Sequence, residues 1–171
     1  FVSEGIVDSY YKRGGYKGAG VVIKNGCDAE YFIERSNRYY LPEYKSTTQV
    51  AIFQSGINQR LDYELTLELI KKMPDWEFRF CGAVIESSGW LRILEQPNVR
   101  YFGVLTPDEF TQQMYEATVG IITYIQDEWI RNSLPLKAYE YIACGLPVVT
   151  VPITELERET ELIVVATTAF E

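Results

Sequence analysis

Short apolar runs alternate with amphipathic segments over most of this chain. The runs are almost uninterrupted, which is typical of parallel strands that are covered on both faces. The segments between them carry apolar residues at helical spacing. The alternation predicts an α/β protein, a doubly wound, Rossmann-like parallel sheet with helices on both faces. The predicted strands lie in "QVAIFQSG", "WEFRFCG", "NVRYFG", "VGIITY" and "LPVVTV".

The segments between these strands differ in the strength of their helix signals. In "TPDEFTQQMYEAT", Thr106 is the expected N-cap and Pro107 occupies the first turn. Clear helical spacing also predicts helices in "LDYELTLELIKKM" and "LPLKAYEYIAC". A weaker helix is expected around residues 85–94, whereas "IQDEWIRNS" predicts a polar loop.

The beginning of the chain has a different pattern. Ser3 is the expected N-cap of a short helix, "GVVIKNGCD" predicts a strand that ends in a turn, and residues 30–48 predict a connecting segment. Because the chain starts without Met and enters a helix at once, we expect residues 1–20 to be the tail of a missing N-terminal domain or an interdomain segment. Residues 21–171 then form the α/β domain.

Three consecutive predicted strands end in glycine, at Gly56, Gly82 and Gly103. Ligands of open α/β sheets bind beyond the carboxyl ends of the strands, where glycine lets the backbone approach a ligand closely. We therefore expect a ligand crevice at this edge. The chain contains neither a dinucleotide fingerprint nor a P-loop, so a phosphate site here needs another design.

Composition excludes several classes of function. A net charge of −8 with sixteen basic residues disfavours binding to nucleic acid. Histidine is absent, which excludes histidine-based nucleophile pairs and the commonest metal ligand. The three cysteines are widely spaced and predict buried free thiols rather than a disulfide framework or a zinc site.

The stretch "NSLPLKAYEYIACGLPVV" places Lys137 and Glu140 on one face of a helix that starts at Pro135. A cation near a helix N-terminus is unfavourable unless an anion lies there, and a diphosphate is such an anion. Glu140 can accept hydrogen bonds from two adjacent hydroxyls, as a ribose offers. The alternative is an exposed ion pair of little energetic consequence.

Asp127 and Glu128 are paired acids in the loop before this stretch. They are either acid-base groups or solvated loop residues.

This stretch resembles the donor-binding motif of GT-B glycosyltransferases of the group 1 type. "VVIKNGCDAEYF" and "NVRYFGVLTPDEFTQQMYEATVGIITY" resemble further segments of that family, in the same order and spacing, so the resemblance covers about Gly20 to Pro152. It implies that residues 21–171 are the C-terminal, donor-binding domain. The acceptor domain would precede Phe1.

The resemblance implies a role for individual residues. Glu140 would bind the ribose and Lys137 the diphosphate of a nucleotide-diphosphate sugar, with a UDP-sugar favoured, while the backbone at Gly103 and Val104 would read the base. No metal and no cofactor is expected, and the catalytic base would lie in the missing domain, which leaves this chain an incomplete, inactive part of the enzyme. The implied donor-binding residues are Gly56, Gly82, Gly103, Val104, Asn132, Lys137 and Glu140.

Two departures from the family pattern are informative. Many retaining members carry a glutamate at the position of Asn132, so a retaining outcome is not assigned. Many members also carry an arginine and a lysine after the strand that ends here at Gly56, where this chain has only Arg60 nearby. Arg60 is either a phosphate ligand or a solvated residue at the start of a helix. The implied partners are the missing domain and a glycan or lipid-linked acceptor in polysaccharide biosynthesis. The implied location is the cytoplasm, or the inner face of the membrane through the missing domain.

Two alternatives remain open at this point. One is a nucleotide-sugar epimerase with the same two-domain fold. The other is a non-catalytic, flavodoxin-like or receiver-like nucleotide-binding module. Receivers need a cluster of acids at the strand ends to hold a divalent cation, and the strand ends here carry Gly, Ser and Cys instead.

Overall fold

The structure, a computed structural model, describes residues 1–14, 18–39, 47–85, 88–158 and 161–169. Six parallel strands form one sheet in the order β3-β2-β1-β4-β5-β6. The chain reverses its direction across the sheet between β1 and β4, which is the switch point of a doubly wound fold. The strands are β1 Val50–Gln54, β2 Glu77–Cys81, β3 Val99–Gly103, β4 Val119–Ile122, β5 Val148–Thr150 and β6 Ile163–Val165.

The described helices cover both faces of this sheet. Helices α2, α5 and α7 pack with one another, and α3 packs with α4. Right-handed connections put these two groups on opposite faces, because the order reverses at the switch point. The helices are α1 Glu4–Lys12, α2 Ala29–Tyr39, α3 Tyr63–Lys72, α4 Trp90–Leu94, α5 Pro107–Glu116, α6 Glu128–Arg131 and α7 Leu136–Ala143, with a 3₁₀ turn at Leu156–Arg158.

The predicted α/β architecture is confirmed, as are the five strands from β1 to β5. Thr106 caps α5 in a full capping box with Glu109, and Ser3 caps α1 by accepting the N–H of Ile6. The weaker helix predicted at residues 85–94 is shorter than expected, because α4 begins only at Trp90.

The strand predicted in residues 20–28 is wrong, because this segment forms no strand. Val21 and Ile23 are exposed, and the two edges of the sheet are β3 and β6. The segment instead bonds to the start of the chain and to the loop before α7. The N–H of Ile23 donates to the carbonyl of Phe1, and the Asn25 side chain donates to the carbonyl of Leu134.

The connecting segment predicted from residue 30 is also wrong over its first part, where α2 forms. Asp28 accepts the N–H of Tyr31 at 3.0 Å and so acts as a helix cap. Tyr31 and Arg35 both bond to Asp108 of α5. Phe32 is buried in the hydrophobic core. These contacts to another helix stabilise α2.

Two further short elements were not predicted. The loop predicted in "IQDEWIRNS" contains α6, which Asp127 caps by accepting the N–H of Ile130 at 2.6 Å. The strand β6 pairs with β5 and forms one edge of the sheet.

Tyr141 joins α7 to the centre of the sheet. Its side chain is fully buried, its ring packs against Gly120 of β4, and its hydroxyl donates to the carbonyl of Ile52 at 3.3 Å. The same hydroxyl accepts the N–H of Gln54 at 2.9 Å, at the end of β1. Tyr141 therefore holds α7 against β1 and β4.

Candidate functional site

The carboxyl ends of the strands surround two adjoining cavities beside the switch point. One, the aromatic cavity, has a volume of about 320 Å³ and is lined by Tyr31, Phe32 and Phe110. The other, the basic cavity, has a volume of about 610 Å³ and is lined by Arg60 and Lys137. The residues that line both cavities are Gln54, Ser55, Gly56 and Glu140.

Lys137 lies at the floor of the basic cavity with only 7% of its surface exposed. Its ammonium donates a hydrogen bond to the Tyr124 hydroxyl and lies 4.6 Å from the Phe53 ring centroid. The pKa of Lys137 is lowered to about 7, mainly by burial; the charge of Glu140 raises it, and the charge of Arg60 lowers it. An anion that entered this cavity would meet a cation already stripped of water.

The alternative of an exposed ion pair between Lys137 and Glu140 is wrong. Lys137 is buried, and within the part of the chain that the structure describes no ion pair joins it to Glu140. The Glu140 carboxylate stands where the two cavities meet. Burial raises the pKa of Glu140 and Lys137 lowers it.

The start of α7 leaves backbone donors available to a ligand. Pro135 is the N-cap and supplies no side-chain hydrogen bond, so the first N–H groups of the helix have no cap. The N–H of Gly56, on the facing loop, donates to no acceptor among residues 1–14, 18–39, 47–85, 88–158 and 161–169. Both features border the basic cavity, and both favour negative charge there.

Gly82 is required by the close approach of two strand-end loops. Its φ is +137°, and a Cβ added there would lie 1.9 Å from the carbonyl oxygen of Ser55. Gly82 and Val104 line the aromatic cavity, whereas Gly103, the last residue of β3 with φ +69°, lines neither cavity. The structure therefore brings Gly56, Gly82, Val104, Lys137 and Glu140 together around the two cavities.

Asn132 lines neither of the two cavities. It ends α6, its side chain donates to the carbonyl of Glu128 at 2.8 Å, and its own carbonyl accepts the Ser3 hydroxyl. Asn132 also lies directly against Gly5 of α1. In this position the residue joins α1 to α6.

The two loop acids have structural partners rather than a place in the cavities. Asp127 caps α6, and Glu128 accepts the Ser9 hydroxyl at 2.8 Å and pairs with Arg13 of α1. These bonds, with Ser9 first, lower the pKa of Glu128. Of the two alternatives, acid-base groups or solvated loop residues, the exposure and contacts of both acids favour the second.

Several cavity residues had no sequence signal that singled them out. Tyr124 lies two residues after β4 and is the last residue of the predicted strand "VGIITY", so its place at the carboxyl end of that strand was the available clue. Tyr31 and Phe32 enter through α2, whose only sequence signal was the cap at Asp28.

The three cysteines are free, as predicted, and Cys81 and Cys144 are buried while Cys27 is half-buried. Burial raises the pKa of Cys81 to about 11 and that of Cys144 to about 12. Within the described ranges, His, Cys, Asp and Glu form no group of three that could hold a metal ion. No helix in these ranges is long and apolar enough to cross a bilayer.

Comparison with known sequences finds one family and one curated relative. A family model described as "Glycosyl transferases group 1" matches residues 58–170. The TuaH protein of Bacillus subtilis, named as a glycosyltransferase of teichuronic acid biosynthesis, is 33% identical over 99 residues. That match covers 57% of this chain and 25% of the relative.

Comparison with solved structures finds the same fold in longer proteins. Anabaena Alr3699/HepE in complex with UDP-glucose superposes with a TM-score of 0.71 at 17% identity over 98% of this chain. Sucrose-phosphate synthase from Thermosynechococcus elongatus gives 0.70 at 17% identity over 99%. This chain spans 50% of the first protein and 45% of the second.

Proposed function

This chain belongs to the group 1 glycosyl transferases, and from that premise we propose that it is the donor-binding part of a GT-B enzyme. The enzyme would transfer a sugar from a nucleotide-diphosphate sugar to a glycan or a lipid-linked acceptor, without a metal ion. Family membership supports a transferase rather than an epimerase or a non-catalytic module.

The observation that carries the proposal is the pair of adjoining cavities with Glu140 where they meet. A flat heterocycle fits the aromatic cavity beside Phe32 and Phe110, with peptide groups at Gly82 and Val104 within reach of its edge. Glu140 would accept hydrogen bonds from the two ribose hydroxyls. The diphosphate would then extend into the basic cavity.

The charges in the basic cavity match the chemistry of the leaving group. When the glycosidic bond to the donor breaks, negative charge develops on the diphosphate. The Lys137 ammonium, the Arg60 guanidinium and the uncapped start of α7 would stabilise this charge from fixed positions. These groups would stabilise the leaving group without a metal ion.

We assign residues 21–171 to the donor domain and expect the acceptor and the catalytic base in a further domain of the full protein. The lengths of the relatives support this, because the match covers 25% of TuaH and 50% of HepE. The name of TuaH supports polysaccharide synthesis, and the UDP-glucose complex of HepE supports a uridine nucleotide. We propose the cytoplasm as the location, with any membrane contact made by the other domain.

Thermal unfolding with and without nucleotide tests the donor site. We expect UDP, more than GDP or ADP, to raise the melting temperature in the presence of a chelator. At one hundred times its dissociation constant a ligand stabilises by about 2.7 kcal/mol, which is readily measured. Lys137→Met and Glu140→Gln should each remove most of this shift, because the first removes the cation that faces the diphosphate and the second removes a carboxylate that accepts both ribose hydroxyls.

Lys71→Met is the matched control, since Lys71 is exposed on α3 and outside both cavities. It should leave the UDP shift unchanged. The proposal is contradicted if no nucleotide stabilises the protein, or if Lys71→Met and Lys137→Met weaken the shift equally.

A further inference from the structure

Tyr124 lines the basic cavity and is a polar neighbour of the Lys137 ammonium. Its hydroxyl accepts an N–H of Lys137 and lies 3.2 Å from the Ser55 hydroxyl. The ammonium also lies over two rings, 4.5 Å from the centroid of Tyr124 and 4.6 Å from that of Phe53. We propose that Tyr124 is a positioning residue that holds Lys137 as an ammonium at the floor of the basic cavity, ready for a diphosphate. This inference rests on the proposed function.

The backbone around Tyr124 is fixed by β4 and by the segment before α3. Tyr124 forms a bridge with Leu61, and the carbonyl of Thr123 accepts the N–H of Asp62 at 2.9 Å. The Thr123 hydroxyl accepts that of Thr66 at 2.8 Å, in the interior. A lysine side chain is flexible by itself, but here its end is located by a residue just beyond the end of β4. Such preorganisation lowers the entropic cost of binding an anion.

The charge state of Lys137 follows from the groups that face it. These groups are Tyr124 after β4, Arg60 after β1 and Glu140 on α7. Burial is the main cause that brings the pKa of Lys137 to about 7, so the ligand-free side chain is largely neutral at mildly alkaline pH. Burial also raises the pKa of the Tyr124 hydroxyl, which therefore remains a neutral phenol over this range.

Above neutral pH, Lys137 should therefore take up a proton when the donor binds. A bound diphosphate favours the ammonium and raises its pKa, so affinity is constant below the pKa of the free lysine and falls as the pH rises above it. The bond to Tyr124 also favours the ammonium, because a charge-assisted hydrogen bond is stronger than a neutral one. Loss of this hydroxyl should shift the pH profile of affinity to lower pH.

Isothermal titration calorimetry with UDP-glucose tests this on Tyr124→Phe, which keeps the ring and its packing. UDP-glucose is the probe because its diphosphate is esterified at both ends and does not titrate near neutrality. Two buffers of different ionisation enthalpy give the number of protons taken up. Loss of the ammonium's position weakens binding at every pH. If the pKa also falls by one unit, the loss of affinity in Tyr124→Phe relative to wild type should be about sevenfold greater at about pH 8 than at about pH 5.5.

Lys137→Met should abolish the proton uptake, and Tyr10→Phe, on α1 and outside both cavities, should behave as wild type. The inference is overturned if Lys137→Met removes the uptake but Tyr124→Phe keeps the wild-type profile, or if Tyr124→Phe weakens binding equally at every pH. Absence of UDP-glucose binding by the wild type is a different result, and it overturns the proposed donor site itself.

Discussion

Lys137 shows at the scale of one residue how a binding group can reduce stability. A lysine that is almost fully buried carries a desolvation cost that its aromatic neighbours and one hydroxyl only partly offset. Replacing a buried charge by an apolar side chain of similar size is often stabilising. We therefore expect that the buried lysine is kept for ligand binding although it reduces stability.

We predict that Lys137→Met makes the ligand-free protein more stable by roughly 1–2 kcal/mol at about pH 6. The folded-state pKa of Lys137, about 7, lies below its ordinary value of 10.5, so between these values the unfolded chain binds more protons. Wild-type stability therefore rises with pH in this window, and the advantage of Met should shrink. Urea unfolding at about pH 6 and about pH 9 measures both effects. A variant that is less stable than wild type at both values would contradict this account.

The sequence predicted the helix position of Lys137 and Glu140, because helical spacing and Pro135 are local signals. It did not predict the burial of Lys137 or its bond to Tyr124. These depend on β4 lying next to β1, which is a long-range property of the sheet. Asn132 shows the same limit, since its contacts with Ser3 and Gly5 depend on how α1 packs.

At the scale of elements, the loops after β1 and β2 touch through a glycine. Gly82→Ala should destabilise by about 3 kcal/mol or more and abolish nucleotide binding, because its Cβ would lie 1.9 Å from the Ser55 carbonyl. Gly103→Ala is the comparison, since Gly103 also has positive φ but nothing within 4 Å of an added Cβ. Its cost should be about 1 kcal/mol. Equal effects in chemical denaturation and nucleotide titration would show that the loop contact is unimportant.

The central elements were predictable because their signals are local. The strands β1 to β5 are short apolar runs, and α5 carries a capping box at Thr106. The errors lie where tertiary contacts decide. Residues 20–28 have strand composition, but Ile23 bonds to Phe1 and Asn25 to Leu134 instead of pairing with the sheet. Helix α2 is stabilised by bonds from Tyr31 and Arg35 to α5.

At the scale of the whole molecule, the start of the chain packs on its last third. Ser3 caps α1 and donates to the carbonyl of Asn132, and Val7 is buried. The part of the chain up to Lys12, predicted to belong to a tail or an interdomain segment, thus contacts α6 through Ser3 and Ser9. An acceptor domain that precedes this segment would be linked to the donor site through α1 and α6.

We predict that Ser3→Ala lowers the free energy of unfolding by about 1–2 kcal/mol, since it removes a helix cap and a buried hydrogen bond. Ser9→Ala should change it by less than about 0.5 kcal/mol, because the partner of Ser9 is an exposed carboxylate. Thermal and urea unfolding of the two variants give this difference. The reverse order of effects would show that α1 is held mainly by its charged contacts.

The long-range hydrogen bonds of the Tyr141 hydroxyl have a consequence for how the protein folds during synthesis. It bonds to Ile52 and Gln54, which lie 89 and 87 residues earlier in the chain, and it places α7 beside β1. Contacts of such sequence separation form late in folding, after the loops between them have closed. During synthesis, the ribosome will have released most of this domain before a nucleotide can bind. Shortened chains that stop before α7 should fold partially, expose apolar surface and depend on chaperones, and no added ligand should rescue them.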